Sequence, residues 1–466
     1  MERQFLERGL ERAETARDAE VVVLNTCTVT EGADKDARAA IRRLQRENPG
    51  CQILVTGCYA QRAPEELAAL PGVRWVVGNS HKHEVAKIAT SGLRSIPLVQ
   101  IAPASESGVV DSEFSPNIVI GDIFAHTELM AAPVFEAANE RTRPNLKVQD
   151  GCDNRCSFCV IPYVRGQSRS LPQERVITEV NALVAAGYRE VVISGINLGR
   201  WGRDILNGRL VDLIRAILDR TALEKLRISS VEPMDWSDEL VDLVAQSPRI
   251  AQHAHVPMQS GSDAVLRRMH RKYRPWHYRD KVVRIRDAMR NAAIGADVMV
   301  GFPGETEVEF EETKRMVDEL PFTYLHVFTY SARPGTSAAD RPDQVPLRVA
   351  RERNRVLREL ASCKQAAFRQ SLVGSVIEAI TLRSNTDEFT EALTDNYLKI
   401  RIEGRHDANQ WIPVRLKSAS TGEVASRHRP GSPESGAVNS IWHDTEVTLD
   451  DRRELTNIID LQPVTG

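Results

Sequence analysis

"QDGCDNRCSFCVIP", Gln149 to Pro162, packs Cys152, Cys156 and Cys159 into eight residues of a 466-residue chain that has seven cysteines in all. The spacing is C-x3-C-x2-C, it follows an apolar run, and Phe158 precedes the last cysteine. A structural zinc site takes four ligands, usually from two C-x2-C pairs, and no second pair lies nearby. Three thiolates suit a [4Fe-4S] cluster better: each holds one iron, and the fourth iron stays open to a small ligand. On spacing alone, zinc and inert thiols remain the alternatives.

The surrounding chain is that of a multidomain enzyme. At about 150 residues per domain its length allows two to four, and its 42% apolar and 27% charged residues can build real cores. No apolar run is long enough to span a bilayer, and "MERQFLERGLERAE" lacks the apolar segment of a signal peptide, so a cytoplasmic protein is expected. An odd number of clustered cysteines then points to metal or redox chemistry and not to a disulfide framework. With a net charge of only −3, nucleic-acid binding has to come from local patches.

Upstream, "VVVLNTC", "QILVTGC" and "VRWVVGN" alternate with helical patterns, the rhythm of parallel strands with crossover helices. Residues 1–95 therefore read as a small α/β domain, and the Pro/Ser/Gly-rich 96–140 as a linker. Residues 141–370 repeat the rhythm six times, through "LKVQD", "EVVISGIN", "KLRISSVEP", "QHAHVPMQ", "ADVMVGFPG" and "YLHVFTYS", which predicts a partial (β/α)6 barrel with its chemistry at the strand C-terminal ends. A helix leads to β-rich residues 371–428, a small β-barrel, and the tail 429–466 has no functional reading.

C-x3-C-x2-C is the hallmark of the radical S-adenosylmethionine enzymes, which this chain resembles. The words "QDGCDNRCSFCVIPYVRGQSRS", "VVISGINLG", "RISSVEP", "HVPMQSGSDAVLRRMHRKY" and "DVMVGFPGETEVEFEETKRMV" narrow the likeness to the methylthiotransferases, over essentially residues 1 to 425. "NTCTVT", "VTGCYAQ" and "IPYVRGQSRS" are most similar to the branch that adds a methylthio group at C2 of N6-threonylcarbamoyladenosine, position 37 of transfer RNA. The resemblance implies that S-adenosylmethionine binds the open iron and is split to a 5′-deoxyadenosyl radical. It also implies a tRNA anticodon stem-loop as partner, a reductant such as flavodoxin or ferredoxin, and a TRAM-like RNA-binding role for the C-terminal barrel. Two neighbouring readings keep the chemistry and change the acceptor, to N6-isopentenyladenosine in tRNA or to an aspartate of a ribosomal protein. A reading from another class is an RNA-binding protein with structural clusters.

Cys27 and Cys58 each end an apolar run and are equally compatible with small buried residues. The resemblance gives them to an auxiliary [4Fe-4S] cluster that carries the sulfur to be transferred. Its third ligand in the family sits in a "GC-x-x-N" element that this sequence lacks; residues 1–19 read as the helix that should follow it, as though the chain began one strand late. Cys51 lies at the far end of the strand bearing Cys58, about 20 Å away, too far to replace it. Cys363, on a helix, is expected in a core.

Asn197, Ser230, Glu232 and Gln259 stand at strand ends where a partial barrel would offer them to S-adenosylmethionine. Arg165, Arg169, Arg175 and the run Arg267–Arg274 are basic patches for phosphate contacts. The C-terminal barrel balances eight basic against eight acidic residues over 371–430, so stacking by Tyr397 or Trp411 is expected to supplement charge.

Overall fold

The N-terminal apolar runs form a parallel sheet because they are buried on both faces. A computed structural model describes residues 2–93, 117–125, 129, 142–205, 208–383, 388–419, 424–427 and 457–463. In it β1 (Leu10–Arg12), β2 (Val21–Thr26), β3 (Gln52–Gly57), β4 (Val73–Gly78) and β5 (Asn117–Val119) share one sheet, with β2 to β5 parallel. The helix α1 (Glu31–Glu47) packs Ile41 and Leu44 against Val22, Leu24, Ile53 and Val55, while Phe5, Trp75 and Val85 cover the other face of Val21, Val23 and Leu54. Such double coverage explains continuous apolar strands in place of alternating ones.

Three expectations change here. Residues 1–19 do not form one helix: a helical turn, Glu2–Leu6, is followed by β1. The stretch 96–140 contributes β5, which extends the sheet beside β4, and residues 94–116 fall outside the described ones. From the tail, Asn457–Pro463 forms a strand antiparallel to both β1 and β2, between them, while 428–456 lies outside the described residues.

The six strands of the second series lie where the periodicity predicts them: β6 (Asn145–Lys147), β7 (Glu190–Ser194), β8 (Lys225–Ile228), β9 (His253–His255), β10 (Ala293–Val300) and β11 (Tyr324–Thr329). They make two parallel three-stranded sheets, β8-β7-β6 and β9-β10-β11. A bridge between Leu226 and Ile250, with Ala251 N–H donating to Leu226 O at 2.9 Å, joins the halves. Helices α2 (Gln173–Ala185), α3 (Leu210–Arg220), α4 (Asp238–Gln246), α5 (Pro275–Ala288), α6 (Glu307–Glu319) and α7 (Leu347–Ser371) alternate with them. The "TEVE" word starts α6 as a capping box: Thr306 and Glu309 satisfy each other's backbone N–H.

A closed five-stranded barrel follows, built from β12 (Val376–Thr381), β13 (Phe389–Thr394), β14 (Lys399–Glu403), β15 (Trp411–Leu416) and β16 (Val424–Arg427). Its turn at residues 394–397 seats on the starts of β7, β8 and β9. Buried Arg227 donates to Asp395 O at 3.1 Å and to Glu190 at 2.6 Å, and Lys225 pairs with Asp395 at 3.3 Å. No helix among the described residues is long and apolar enough to cross a membrane.

The N-terminal domain is clamped to the central barrel by one buried carboxylate. Asp34, 3% exposed, meets Arg333, 2% exposed, from the loop after β11, and Arg62 at 3.0 Å, while Thr28 donates to it at 2.6 Å. Removing the carboxylate strands two guanidinium groups, a loss of about 3–5 kcal/mol for a buried pair. Asp34→Ala is therefore expected to lower the thermal unfolding midpoint clearly, whereas Lys35→Ala, which breaks the exposed Lys35–Glu31 pair, leaves it where it was.

Candidate active site between two cysteine sites

The cysteine loop is shaped by its neighbours before any ligand is considered. Gln149, fully buried, donates to Asp150 O, Gly151 O and Ser168 Oγ, each at 2.9 Å, and accepts from Asn197 N–H at 2.7 Å. Gly151 has φ +73°, and a Cβ there would stand 1.8 Å from Gln167 O, so only glycine turns the chain into Cys152. At the other end, Ser157 is held by Met269 O and Arg268 O, at 3.2 and 2.8 Å.

The three thiols lie close enough for the charge of each to act on the others. Burial, then their mutual repulsion, pushes Cys159 up to about 12, and burial also raises Cys152. Two side chains aim donors at the sulfurs: Asn197 Nδ2 at 3.6 Å from Cys152 Sγ, and Arg271 Nη1 at 3.3 Å from Cys156 Sγ. Arg271 also pairs with Glu232.

Cys27 leaves the C-terminal end of β2 and Cys58 that of β3, the latter through Gly57 at φ +104°. A Cβ at Gly57 would meet Thr26 O at 2.3 Å, so this strand end too requires glycine. Cys27 is pushed up by burial and by Cys58, against the Val29 N–H that donates to its sulfur at 3.5 Å. Cys58 receives Arg165 Nε at 3.0 Å and Asn79 Nδ2 at 3.5 Å. Lys82, brought down to about 8 by burial and then by Arg165, completes a cationic wall. Arg165 also ion-pairs with Asp150 at 3.5 Å; burial works against that carboxylate, but Arg165 and Lys147 hold it at about 2. One arginine thus ties Cys58 to the residue two places before Cys152.

Between the sites lies a cavity of about 270 Å³, lined by Val29 and Thr30 beyond Cys27, by Phe158 and Cys159, and by Gln259, Asp297, Met299, Phe328 and Tyr330. Asn197 and Glu232 therefore stand at the cysteine loop and Gln259 in the cavity wall, while Ser230 Oγ is engaged by His255 Nδ1 at 2.6 Å.

Several expectations are corrected. Arg165, Arg169, Arg268 and Arg271 are not free for phosphates: they are turned inward onto Cys58, Asp150, Glu309 and Glu232. Tyr397 packs on His253 at 4.6 Å and Trp411 sits under Lys225 at 5.1 Å, so both face the central barrel. Cys363 is exposed on α7 and not in a core, whereas Cys51 is buried just before β3, at the opposite end from Cys58. Spacing did not single out Arg165 or Arg271 as sulfur contacts, nor His255, Asp297 and His326 as a group. Their signal was present, since these last three occupy inward positions on adjacent strands, but only the register reveals that they meet.

Residues 146–317 match the model of the radical SAM superfamily, and residues 1–78 that of uncharacterized protein family UPF0004. The threonylcarbamoyladenosine tRNA methylthiotransferase MtaB of Bacillus subtilis is 38% identical over 428 residues, covering 90% of this chain and 89% of the relative. The Aquifex aeolicus protein of that name is 35% identical, over 89% and 95%. A tRNA-2-methylthio-N(6)-dimethylallyladenosine synthase of Bacillus licheniformis is 30% identical, over 90% and 80%. Among solved structures, the radical S-adenosylmethionine methyltransferase TsrM of Kitasatospora setae, with cobalamin and a [4Fe-4S] cluster bound, aligns with a TM-score of 0.50 over 68% of this chain and 62% of its own, at 17% identity. That last likeness is one of fold.

The thiol environments make a prediction for the metal-free protein. At pH 8, iodoacetamide is expected to label exposed Cys363 well before Cys51, Cys58 and Cys159, read by peptide mass spectrometry, because Cys51 and Cys58 are buried and burial disfavours the nucleophilic thiolate at Cys159.

Proposed function

We propose that this chain, which belongs to the radical S-adenosylmethionine methylthiotransferases, places a methylthio group on C2 of N6-threonylcarbamoyladenosine 37 of tRNA. The observation that carries this reading is the cavity itself, bounded on one side by Cys159 and on the other by the residues after Cys27. A carbon that must first lose hydrogen and then receive sulfur has to be reached from two sources without leaving its seat, and a cavity shared by two cysteine sites provides that.

The donor set at the first site fits a [4Fe-4S] cluster with an open iron: three neighbouring thiols, an N–H donor aimed at two of them, and a buried Asn197 Oδ1 without a partner. Cys152, Cys156 and Cys159 would hold it; with S-adenosylmethionine bound, it supplies the one-electron cleavage that yields a 5′-deoxyadenosyl radical. Around it, Asn197 and Glu232 offer an acceptor and a carboxylate to the amino-acid end of S-adenosylmethionine, and Gln259 extends the wall toward the adenosine. Phe158, Met299 and Phe328 would give the space beside it an apolar wall.

At the second site the fit is partial. Cys27 and Cys58 are two thiols, and among the described residues no third lies beside them. They would anchor an auxiliary cluster or sulfur carrier, with Arg165, Lys82 and Asn79 compensating the negative charge gathered on sulfur. The enzyme would work in the cytoplasm with a reductant such as flavodoxin or ferredoxin.

The test uses anaerobically reconstituted full-length protein, an anticodon stem-loop carrying N6-threonylcarbamoyladenosine, and nucleoside mass spectrometry. Replacing Cys152, Cys156 or Cys159 by Ala is expected to abolish 5′-deoxyadenosine formation. Cys27→Ala or Cys58→Ala is expected to keep that product but yield no 2-methylthio nucleoside. Undiminished 5′-deoxyadenosine from Cys156→Ala, or undiminished methylthiolation by Cys58→Ala, would sink this assignment.

A further inference from the structure

Next to the cavity, whose wall Asp297 joins, three adjacent strands bring one polar side chain each to a common point. His255 Nε2, from the end of β9, and His326 Nδ1, from β11, both lie 3.4 Å from Asp297 Oδ1 on β10. Ser230 Oγ faces the other nitrogen of His255 at 2.6 Å. Rings continue the cluster: His255 to His326 at 5.5 Å, Tyr324 to His326 at 5.4 Å, and His326 edge-on to Phe328 at 6.4 Å. His255 is buried, whereas the side chains of Asp297 and His326 are 26% and 54% exposed, so the cluster rises toward the cavity that Asp297 and Phe328 line.

This cluster has a definite chemical preference. Burial raises the pKa of Asp297, but the two imidazoles outweigh it and hold the carboxyl well below its usual range, so it is an anion with imidazoles beside it. Covering such groups with hydrocarbon removes their water and returns nothing. A group that fills the space above them has to bring both hydrogen-bond donors and acceptors. On an adenine stacked against the Phe328 ring, with His326 toward its edge, the N6 substituent is the part that differs between acceptors. A threonylcarbamoyl group carries N–H and O–H donors together with carbonyl and carboxylate acceptors. A dimethylallyl group carries neither. Sites built to hydrogen-bond a substrate reject an analogue lacking those groups far more strongly than apolar pockets reject an extra methylene.

We propose that His255, Asp297 and His326 form the subsite that reads the N6 substituent, selecting the polar threonylcarbamoyl group against the apolar dimethylallyl group. The proposal rests on the assignment of the cavity to the acceptor nucleoside. Asp297 accepts from the ureido N–H and hydroxyl, and His326 donates to the carbonyl or carboxylate, while His255, held between Ser230 and Asp297, positions the carboxylate. Phe328 supplies stacking that any adenine can use, and so does not discriminate.

The experiment is anaerobic equilibrium binding of the full-length reconstituted protein to three anticodon stem-loops that differ only at the acceptor adenosine: threonylcarbamoylated, dimethylallylated and unmodified. His326→Phe keeps a ring in place, and Asp297→Asn keeps the size of the side chain. Both are expected to weaken binding of the threonylcarbamoylated RNA by about 10- to 100-fold, the value of a hydrogen bond to a charged group, and to leave the unmodified RNA within about twofold. Equal weakening for all three RNAs, or none for the threonylcarbamoylated one, overturns the subsite. So does a stoichiometric divalent metal ion retained by the wild type and lost in His326→Phe, which would make the cluster a metal centre. Circular dichroism and iron content verify that each variant is folded. If the wild type leaves the threonylcarbamoylated RNA without a methylthio group, the functional reading falls and takes the subsite with it, a result distinct from a wild type that acts on this RNA with no role for His326.

Discussion

The buried carboxylate of Asp34 sets the distance between the two cysteine sites. It is one side chain in the first turn of α1, yet it gathers Thr28, next to Cys27, Arg62, at the end of the short helix begun by Cys58, and Arg333, from the loop that follows the last barrel strand. A hydrogen bond from Glu31 N–H to Ser331 Oγ at 2.9 Å reinforces the same junction. An anion taken out of water tolerates little displacement of its partners, because each lost contact leaves a desolvated charge. The cavity between the sites inherits that rigidity, and its walls at Val29, Thr30, Tyr330 and Ser331 flank the clamp on either side.

The second tie is Arg165. Its guanidinium reaches Cys58 and Asp150 together, so the short helix after the cysteine loop belongs electrostatically to both sites. The cost of burying it is offset by the Asp150 carboxylate and the Cys58 sulfur that its planar fork reaches together. This explains why several of the arginines that spacing would assign to RNA phosphates are committed inside the protein, whereas Arg175 and Arg267 stay more than half exposed. Arg165, Arg169 and Arg271 sit against the chemistry, where Arg165 helps to hold the Asp150 carboxyl low and Arg271 donates to the sulfur of Cys156.

The small C-terminal barrel joins by its turn at 394–397 to the starts of the central strands, the end opposite to the cysteine loop. Buried Arg227 caps the backbone of this turn, and Tyr397 closes the rings of His253 and Tyr324 from below. The same contact surface that fixes the module in place turns Trp411 toward Lys225 and one face of Tyr397 toward His253, while Tyr397 stays 41% exposed. The polar cluster at His255, Asp297 and His326 lies between this plug and the cavity, on the inner face of the last three strands.

Chemistry with a strict local spacing was readable from the residues alone. Cys152, Cys156 and Cys159 are close in sequence, and the loop that carries them needs Gly151 for a backbone reason that no distant contact alters. The six strands were readable too, because short runs rich in β-branched, aromatic and aliphatic residues alternate with helical patterns, and a capping box announced α6. Register, burial and pairing across long stretches of chain were not. The strand at 457–463 pairs with two strands more than 400 residues earlier, and β5 joins that sheet from a segment with no clear periodicity. Whether an arginine faces phosphate or thiol, and whether a histidine, an aspartate and a second histidine from three strands meet at one point, depends on which side chains the folded neighbours desolvate. Composition and spacing carry no record of that, since the energy resides in distances between residues that only folding brings together.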